Sequence, residues 1–450
     1  MGFPQQNPVH RLLLAILDKL MVAFLYVNVL APTLSPGGLP LNKTIFVLLL
    51  VTYGAVMTLS REKVRLRPLG YIFISLGGMA TLALVSWLQG NAPESIGSLA
   101  TVALIVLIIP PLSLLFRYRG VERYLGHLTN ATALLALAFL TLVIVCGPLN
   151  QRQVAEFILN SGTSFAETIS FAFFPGGIRV STTNQGFLPI AFLLVYYRLL
   201  ARGRWRDLAL FLLVGLAVYF CYTVSLWGSA AVGLMLCTLL VHPLPKSRRL
   251  PAPPGPPAAP RRFATFNRVR FRKAVLIVCC LGGGLFSLTR LPEFIIGSKT
   301  ESFSFKHRQL LEAIDIFRTA PLTGKGLGYI YDEREHVNVS GSSSALLENS
   351  YAVILASTGL LGLLVLSFIY LCYPVLAFFG HLPPPRRLFI IAHFIVLIQA
   401  WGNPFLWTGG LGLLFACLLG ADLEHSIRAV STPRSPVPGA PRQPLSIAPP

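Results

Sequence analysis

The sequence predicts an all-α polytopic membrane protein with about 12 transmembrane helices and one large external loop between the ninth and the tenth. Three observations carry this. Hydrophobic residues make up 54% of the 450 and charged residues 12%, about half the charged share of a water-soluble domain. Apolar runs of roughly 17–25 residues, the length that crosses a bilayer as helix, recur along the whole chain. Basic residues also cluster in every second loop, as the positive-inside rule requires. The runs are continuous rather than alternating, which argues against a β-barrel.

The apolar segments lie near 11–31, 42–60, 70–88, 98–116, 128–147, 186–200, 208–224, 228–242, 274–289, 350–373, 388–402 and 405–421. The first is too long for a leader and has no small-residue cleavage pattern, so it reads as a first transmembrane helix. The seventh and eighth form one run of about 35 residues, too long for one crossing of a core about 30 Å thick. Ser225, Gly228 and Ser229 offer the break.

With the N-terminus in the cytoplasm, 26 Lys and Arg fall in cytoplasmic segments and ten on the other side, with Lys19 inside the first segment. The formal net charge of +20 is then mostly a topology signal, with some attraction to anionic lipid heads. Nucleic acid is not an expected partner. The layout gives a membrane domain over 1–421. It contains an external loop at 148–185, a basic Pro-rich cytoplasmic loop at 243–273 and a large external loop at 290–349. A disordered cytoplasmic tail is expected at 422–450. No repeat recurs at a fixed period, which weakens a transporter built from duplicated halves. The seven cysteines lie in or beside apolar runs, so neither a disulfide framework nor a zinc spacing is expected.

The 290–349 loop holds seven basic and eight acidic residues. Balanced charge packed into one loop points to local sites rather than bulk attraction. Leu310, Leu311, Ile314 and Phe317 recur at helical spacing, and Arg308, Glu312 and Asp315 share the opposite face. This predicts a short amphipathic helix from Phe305 to Phe317 on the outer membrane interface, ended by Pro321. Spacing alone favours Arg308 pairing with Glu312 and solubilising that face over a ligand role. Gly324, Gly326 and Gly328 follow, with Lys325 between the first two. Alternating glycines let a backbone turn sharply or approach a phosphate. No strand precedes them and the P-loop spacing is absent, which favours the turn.

Glu348-Asn349 stands where a long apolar helix begins. A carboxylate there suits the helix N-terminus electrostatically, and it can also act as a general base. Ala352, Ala356, Gly359 and Gly362 line one side of that helix and favour close packing. In the earlier loop, Arg179 precedes the sixth helix, where it can bind a phosphate or lipid heads. His393, Gln399 and Asn403 read as interhelical hydrogen-bond formers. Asp18 and Lys19 read as residues near the cytoplasmic end of the first helix, the lysine snorkelling.

The pattern Arg308…Pro321-x-x-Gly-x-Gly-x-Gly…Glu348-Asn349-Ser-Tyr…Thr358-Gly-Leu-Leu-Gly362 resembles the O-antigen ligase and Wzy-type polysaccharide polymerase family. So does the twelve-helix layout with both termini inside. The stretch from Arg179 to Asn184 is similar to another signature of that family. The likeness in motif covers about 60 residues plus this short stretch; the likeness in layout covers most of the chain.

The resemblance implies a multi-pass glycosyltransferase of the bacterial inner membrane. It would pass a glycan from an undecaprenyl-diphosphate-linked oligosaccharide to a lipid-linked glycan acceptor. It implies Glu348 and Arg308 as catalytic residues, with Arg179, Arg308, Arg290 and Lys325 on the diphosphate. Asn349, Asn184, Gly324 and Gly326 would support them, with neither metal nor cofactor. Membrane lipids, a chain-length regulator and a flippase are the implied partners. Family ligases carry His where this chain has Glu348, which points to a polymerase. The alternatives are a ligase that passes glycan to lipid A-core or protein, and a lipid or polysaccharide transporter. The family often has Ser-Arg near the turn between the seventh and eighth helices. Here Ser225 is followed by Leu226 and Trp227, and Arg179 or Arg290 would replace that arginine.

Overall fold

The computed structural model describes residues 8–31, 40–60, 66–91, 104–146, 169–174, 177–182, 184–221, 223–241, 300–327, 349–379, 383–401 and 411–431. Its helices are α1 (Pro8–Leu30), α2 (Leu41–Ser60), α3 (Leu66–Leu88), α4 (Ile109–Arg119, entered through a 3-10 turn at Val106–Ile108), α5 (Val121–Cys146), α6 (Phe187–Arg202), α7 (Trp205–Phe220), α8 (Val224–Leu240), α9 (Thr300–Thr319), α10 (Ser350–Phe378), α11 (Pro384–Gln399) and α12 (Leu411–Ser431). Among the described residues, α1, α2, α3, α5 and α10 are long and apolar enough to cross a membrane. The chain is helical and membrane-embedded. A helix stands at each expected apolar segment except the ninth, 274–289, which lies outside the described residues together with the 243–273 loop.

The helices form one continuous core. α1 packs against α2 and α5, and α5 against α6 and α7. The chain of contacts continues through α6, α8, α11, α12 and α10 to α3, while α4 lies against α12. Glycines set the closest approaches, because a missing side chain lets two backbones draw together. A Cβ on Gly78 of α3 would lie 2.8 Å from Val365 Cγ1 of α10, one on Gly233 of α8 2.4 Å from Ile395 Cδ1 of α11, and one on Gly420 of α12 2.6 Å from the Tyr373 ring of α10.

Three expectations are corrected. The break in the long apolar run falls at residues 221–223, between α7 and α8, and Ser225, Gly228 and Ser229 lie inside α8. A cap accompanies it: Trp227 Nε1 donates to the carbonyls of Val218 (2.8 Å) and Tyr219 (3.2 Å) in the last turn of α7, where a helix end opens carbonyls to side-chain donors. The loop expected at 148–185 adds one exception to an all-α fold. It holds an antiparallel hairpin, β1 (Ile169–Phe174) and β2 (Gly177–Thr182), with Phe174 opposite Gly177 and Ile169 opposite Thr182. β-branched and aromatic residues on either side of Pro175-Gly176 are a hairpin signal, so the fold is helical save for this ribbon. Finally, α12 runs on to Ser431, so the chain at 422–431 is helical rather than a disordered tail. Asp422 there is 4% exposed.

Contacts between helix ends sort the bundle into two faces. On one, Arg123 Nη2 at the start of α5 holds Asp18 Oδ2 of α1 at 2.8 Å, and Tyr124 Oη donates to Asp18 Oδ1 at 2.5 Å. Asp18 is therefore a buried, fully engaged carboxylate, while its neighbour Lys19 is exposed. On the same face, Arg198 Nε of α6 lies 2.6 Å from Asp207 Oδ1 of α7, Arg386 Nε of α11 lies 2.6 Å from Asp422 Oδ2 of α12, and Arg387 donates to the Leu240 carbonyl that ends α8. On the opposite face, Asn184 Nδ2 donates to the Val29 carbonyl near the end of α1 (3.0 Å), and the Ser350 amide that opens α10 donates to the Ala400 carbonyl that follows α11 (3.0 Å).

The Arg386–Asp422 pair should be a strong determinant of stability, since both side chains are 6% exposed. Removing one partner leaves the other charge buried and alone, at a cost of about 3–5 kcal/mol. Arg386→Met or Asp422→Leu alone should depress the thermal midpoint in detergent and the amount of inserted protein. The double change should recover most of the loss. A double variant no more stable than either single would contradict this account.

Candidate functional site

The helix predicted in the large loop is present as α9, and it ends, as expected, just before Pro321. It lies against α10 rather than alone on a lipid surface. The face it buries also differs from the expected one. Gln309 and Ala313 are buried, whereas Leu311 is 47% exposed. A helix that faces another helix is selected for close fit, so a small residue and a polar one can occupy the seam. Arg308 is exposed and makes no ion pair among the described residues. Asp315 pairs on this helix with Arg318, at 3.0 Å.

After α9 the chain turns at Pro321 and enters α10 itself. Within that helix Gly359 has φ 60° and ψ −153°, a conformation open essentially to glycine alone. An intact helix would bond the amides of Leu360 and Leu361 to the carbonyls of Ala356 and Ser357. Here those amides donate instead to the carbonyls of Pro321 (2.9 Å) and Leu322 (3.0 Å), and the vacated carbonyls accept from the amides of Lys325 (2.9 Å) and Gly326 (2.8 Å). The loop turn is thus spliced into the opened helix, and these four freed backbone groups all find partners in it. That satisfaction is what a hydrocarbon environment demands of an interrupted helix.

The splice explains the glycines. A Cβ on Gly324 would lie 2.4 Å from the Ser357 carbonyl carbon, and one on Gly359 would lie 2.7 Å from Gly324 N, Leu322 C and Pro321 O. The amides of Gly324, Lys325, Gly326 and Leu327 donate to Ala320 O, Ala356 O, Ser357 O and Ser86 Oγ respectively. A phosphate cradle at these glycines has no donors left, so that reading of Gly324 and Gly326 gives way to the turn. Lys325 keeps an exposed side chain at the tip.

The remaining sites fall as follows. Asn349 caps α10, its Oδ1 accepting from the amides of Tyr351 (2.9 Å) and Ala352 (3.2 Å). Asn184 is buried against the end of α1 through its bond to Val29. Both amide side chains therefore act within the bundle. Arg179 lies in β2 opposite Ala172. Glu348, Arg290 and Gly328 lie outside the described residues, as does Asn403. Gln399 behaves as expected, reaching across to Ser229 Oγ of α8 at 3.3 Å. Beside the capped end of α10, Tyr351, Phe394, Leu397, Ile398 and Trp401 line an open apolar groove of about 460 Å³.

Sequence reasoning missed Ser86, Gln89 and Asn91. They close α3 and bond the spliced turn from the other side. Their only signal was a polar end to an apolar helix.

No protein-family model matches the chain, and no curated protein sequence matches it.

Proposed function

We propose that the chain is a polysaccharide polymerase of a bacterial inner membrane, with about twelve spans and both termini in the cytoplasm. A sugar hydroxyl of a lipid-linked glycan attacks the anomeric carbon of an undecaprenyl-diphosphate-linked glycan. The new glycosidic bond forms as the bond to the lipid diphosphate breaks, with inversion, and the hydroxyl proton passes to Glu348. Arg308, with Arg179, Arg290 and Lys325, offsets the charge that grows on the leaving diphosphate.

The observation that carries this reading is the union of separated motif pieces. The helix that bears Arg308, the Pro321–Gly326 turn and the Thr358–Gly362 stretch are joined by the splice into α10, whose first turn Asn349 caps. A pattern dispersed over some 55 residues thereby becomes one unit, as a catalytic loop requires. The two-faced arrangement of helix ends supports the layout as well. α8 ends on the face of Arg387, whereas the spliced turn sits at the end of α3 on the opposite one. That agrees with the ninth span expected at 274–289, which lies outside the described residues.

One feature favours a second reading, a lipid transporter, because transporters use interrupted helices at substrate sites. In those, however, the freed backbone groups face the substrate. Here the loop turn takes up the amides of Leu360 and Leu361 and the carbonyls of Ala356 and Ser357.

The test is direct. Purified protein supplied with an undecaprenyl-diphosphate-linked oligosaccharide in detergent should yield longer lipid-linked glycans. An unaltered donor would overturn the transferase and leave the transporter. A strain lacking the gene should lose long polymer and retain single repeats. Polymer retained on its carrier without onward transfer would instead indicate a ligase.

A further inference from the structure

The end of α3 lies outside the motif, yet it makes four polar contacts to four of the five residues from Thr323 to Leu327. Gln89 Nε2 donates to the Gly324 carbonyl (3.0 Å) and to Thr323 Oγ1 (3.2 Å). Asn91 Nδ2 donates to the Lys325 carbonyl (3.0 Å), and Ser86 Oγ accepts from the Leu327 amide (2.8 Å). Asn91 Nδ2 and Gln89 Oε1 also occupy the space beside Gly326, at 2.0 and 2.6 Å from where a Cβ would stand. The splice has a competitor. If the turn withdraws, Leu360 and Leu361 can bond again to Ala356 and Ser357 and α10 can close. The bonds from α3 exist only while the turn is inserted, so they bias the choice between the two arrangements.

We propose that Ser86, Gln89 and Asn91 are positioning residues. They latch the stretch from Thr323 to Leu327 into the opened α10 and so hold α9, with Arg308 and Lys325, in register with the capped end of that helix. The positioning role rests on the transferase reading; the latch does not.

The Lys325–Gly326 peptide bond reports the latch. Its carbonyl accepts from Asn91 and its N–H donates to Ser357, so the inserted turn resists trypsin there. In the purified full chain, Gln89→Glu/Asn91→Asp keeps shape but removes the donating amides. It should raise cleavage at this bond by about tenfold or more, the equivalent of one net hydrogen bond. It should also lower kcat for glycan lengthening with little change in KM. Ser86→Ala and Asn91→Ser, each a smaller change, should give smaller effects of the same sign and carry the test if the double variant does not accumulate. Unaltered cleavage in these variants overturns the latch. Faster cleavage with unaltered kcat overturns the positioning role. A wild-type chain that lengthens no glycan refutes the transferase, while the cleavage rates still decide the latch.

Discussion

Gly359→Ala should expel the loop turn from α10. The residue sits at φ 60° and ψ −153°, where a side chain adds roughly 1–3 kcal/mol of backbone strain. The new Cβ would also stand 2.7 Å from three backbone atoms of the turn. Overpacking of a fitted seam adds about 1–3 kcal/mol, and backbone atoms cannot swing aside as a flexible side chain does. The variant should therefore show rapid trypsin cleavage after Lys325, a lower thermal midpoint in detergent and no glycan lengthening. Gly77→Ala is the contrast. That glycine lies within α3 with nothing near its missing Cβ, and alanine in a helix interior is favoured over glycine by about 0.5–1 kcal/mol. It should be neutral or slightly stabilising. Equal behaviour of the two variants would remove the splice as the reason for Gly359.

Arg308→Ala should abolish glycan lengthening while the protein is still made and inserted. The side chain is exposed and carries no ion pair among the described residues, so its loss should leave the fold and the trypsin resistance of Lys325 intact. That separates it from Gly359→Ala, which should lose both. Arg308→Lys should largely fail too, because an ammonium does not reproduce the two-pronged grip of a guanidinium on a diphosphate. Near-normal polymer in the alanine variant would overturn its assignment to the leaving group. Glu348→Gln belongs to the same experiment: a normal rate across pH would remove Glu348 as the base.

The two experiments differ in how far sequence alone could motivate them. Arg308 stands out by charge in a mostly apolar chain, and Pro321 announces the end of its helix. Gly359 looked like one of several small residues along a helix side. Its backbone angles follow from a turn that lies some 35 residues earlier in the chain, and no local pattern reports a splice between two segments. The buried face of α9 departs from its apolar stripe for a related reason. Leu310, Leu311, Ile314 and Phe317 form the best apolar stripe against a lipid surface, but the neighbour is α10, and the buried positions are Gln309 and Ala313. Gln89 and Asn91 were invisible because their partners are 234 and 235 residues away.

What the sequence determined by itself was a helical, membrane-embedded chain and the approximate limits of the described helices in its apolar segments, because a bilayer converts apolar length directly into a span. It also marked the stretch from Arg308 to Gly362 as the place where charge and glycine concentrate. Only the tertiary structure decided what those glycines do. Backbone hydrogen bonds freed by an interruption must be satisfied inside the protein, and which distant segment satisfies them depends on how the helices pack. Here that segment is the turn at 321–326, held by α3, so the turn and α10 are one element.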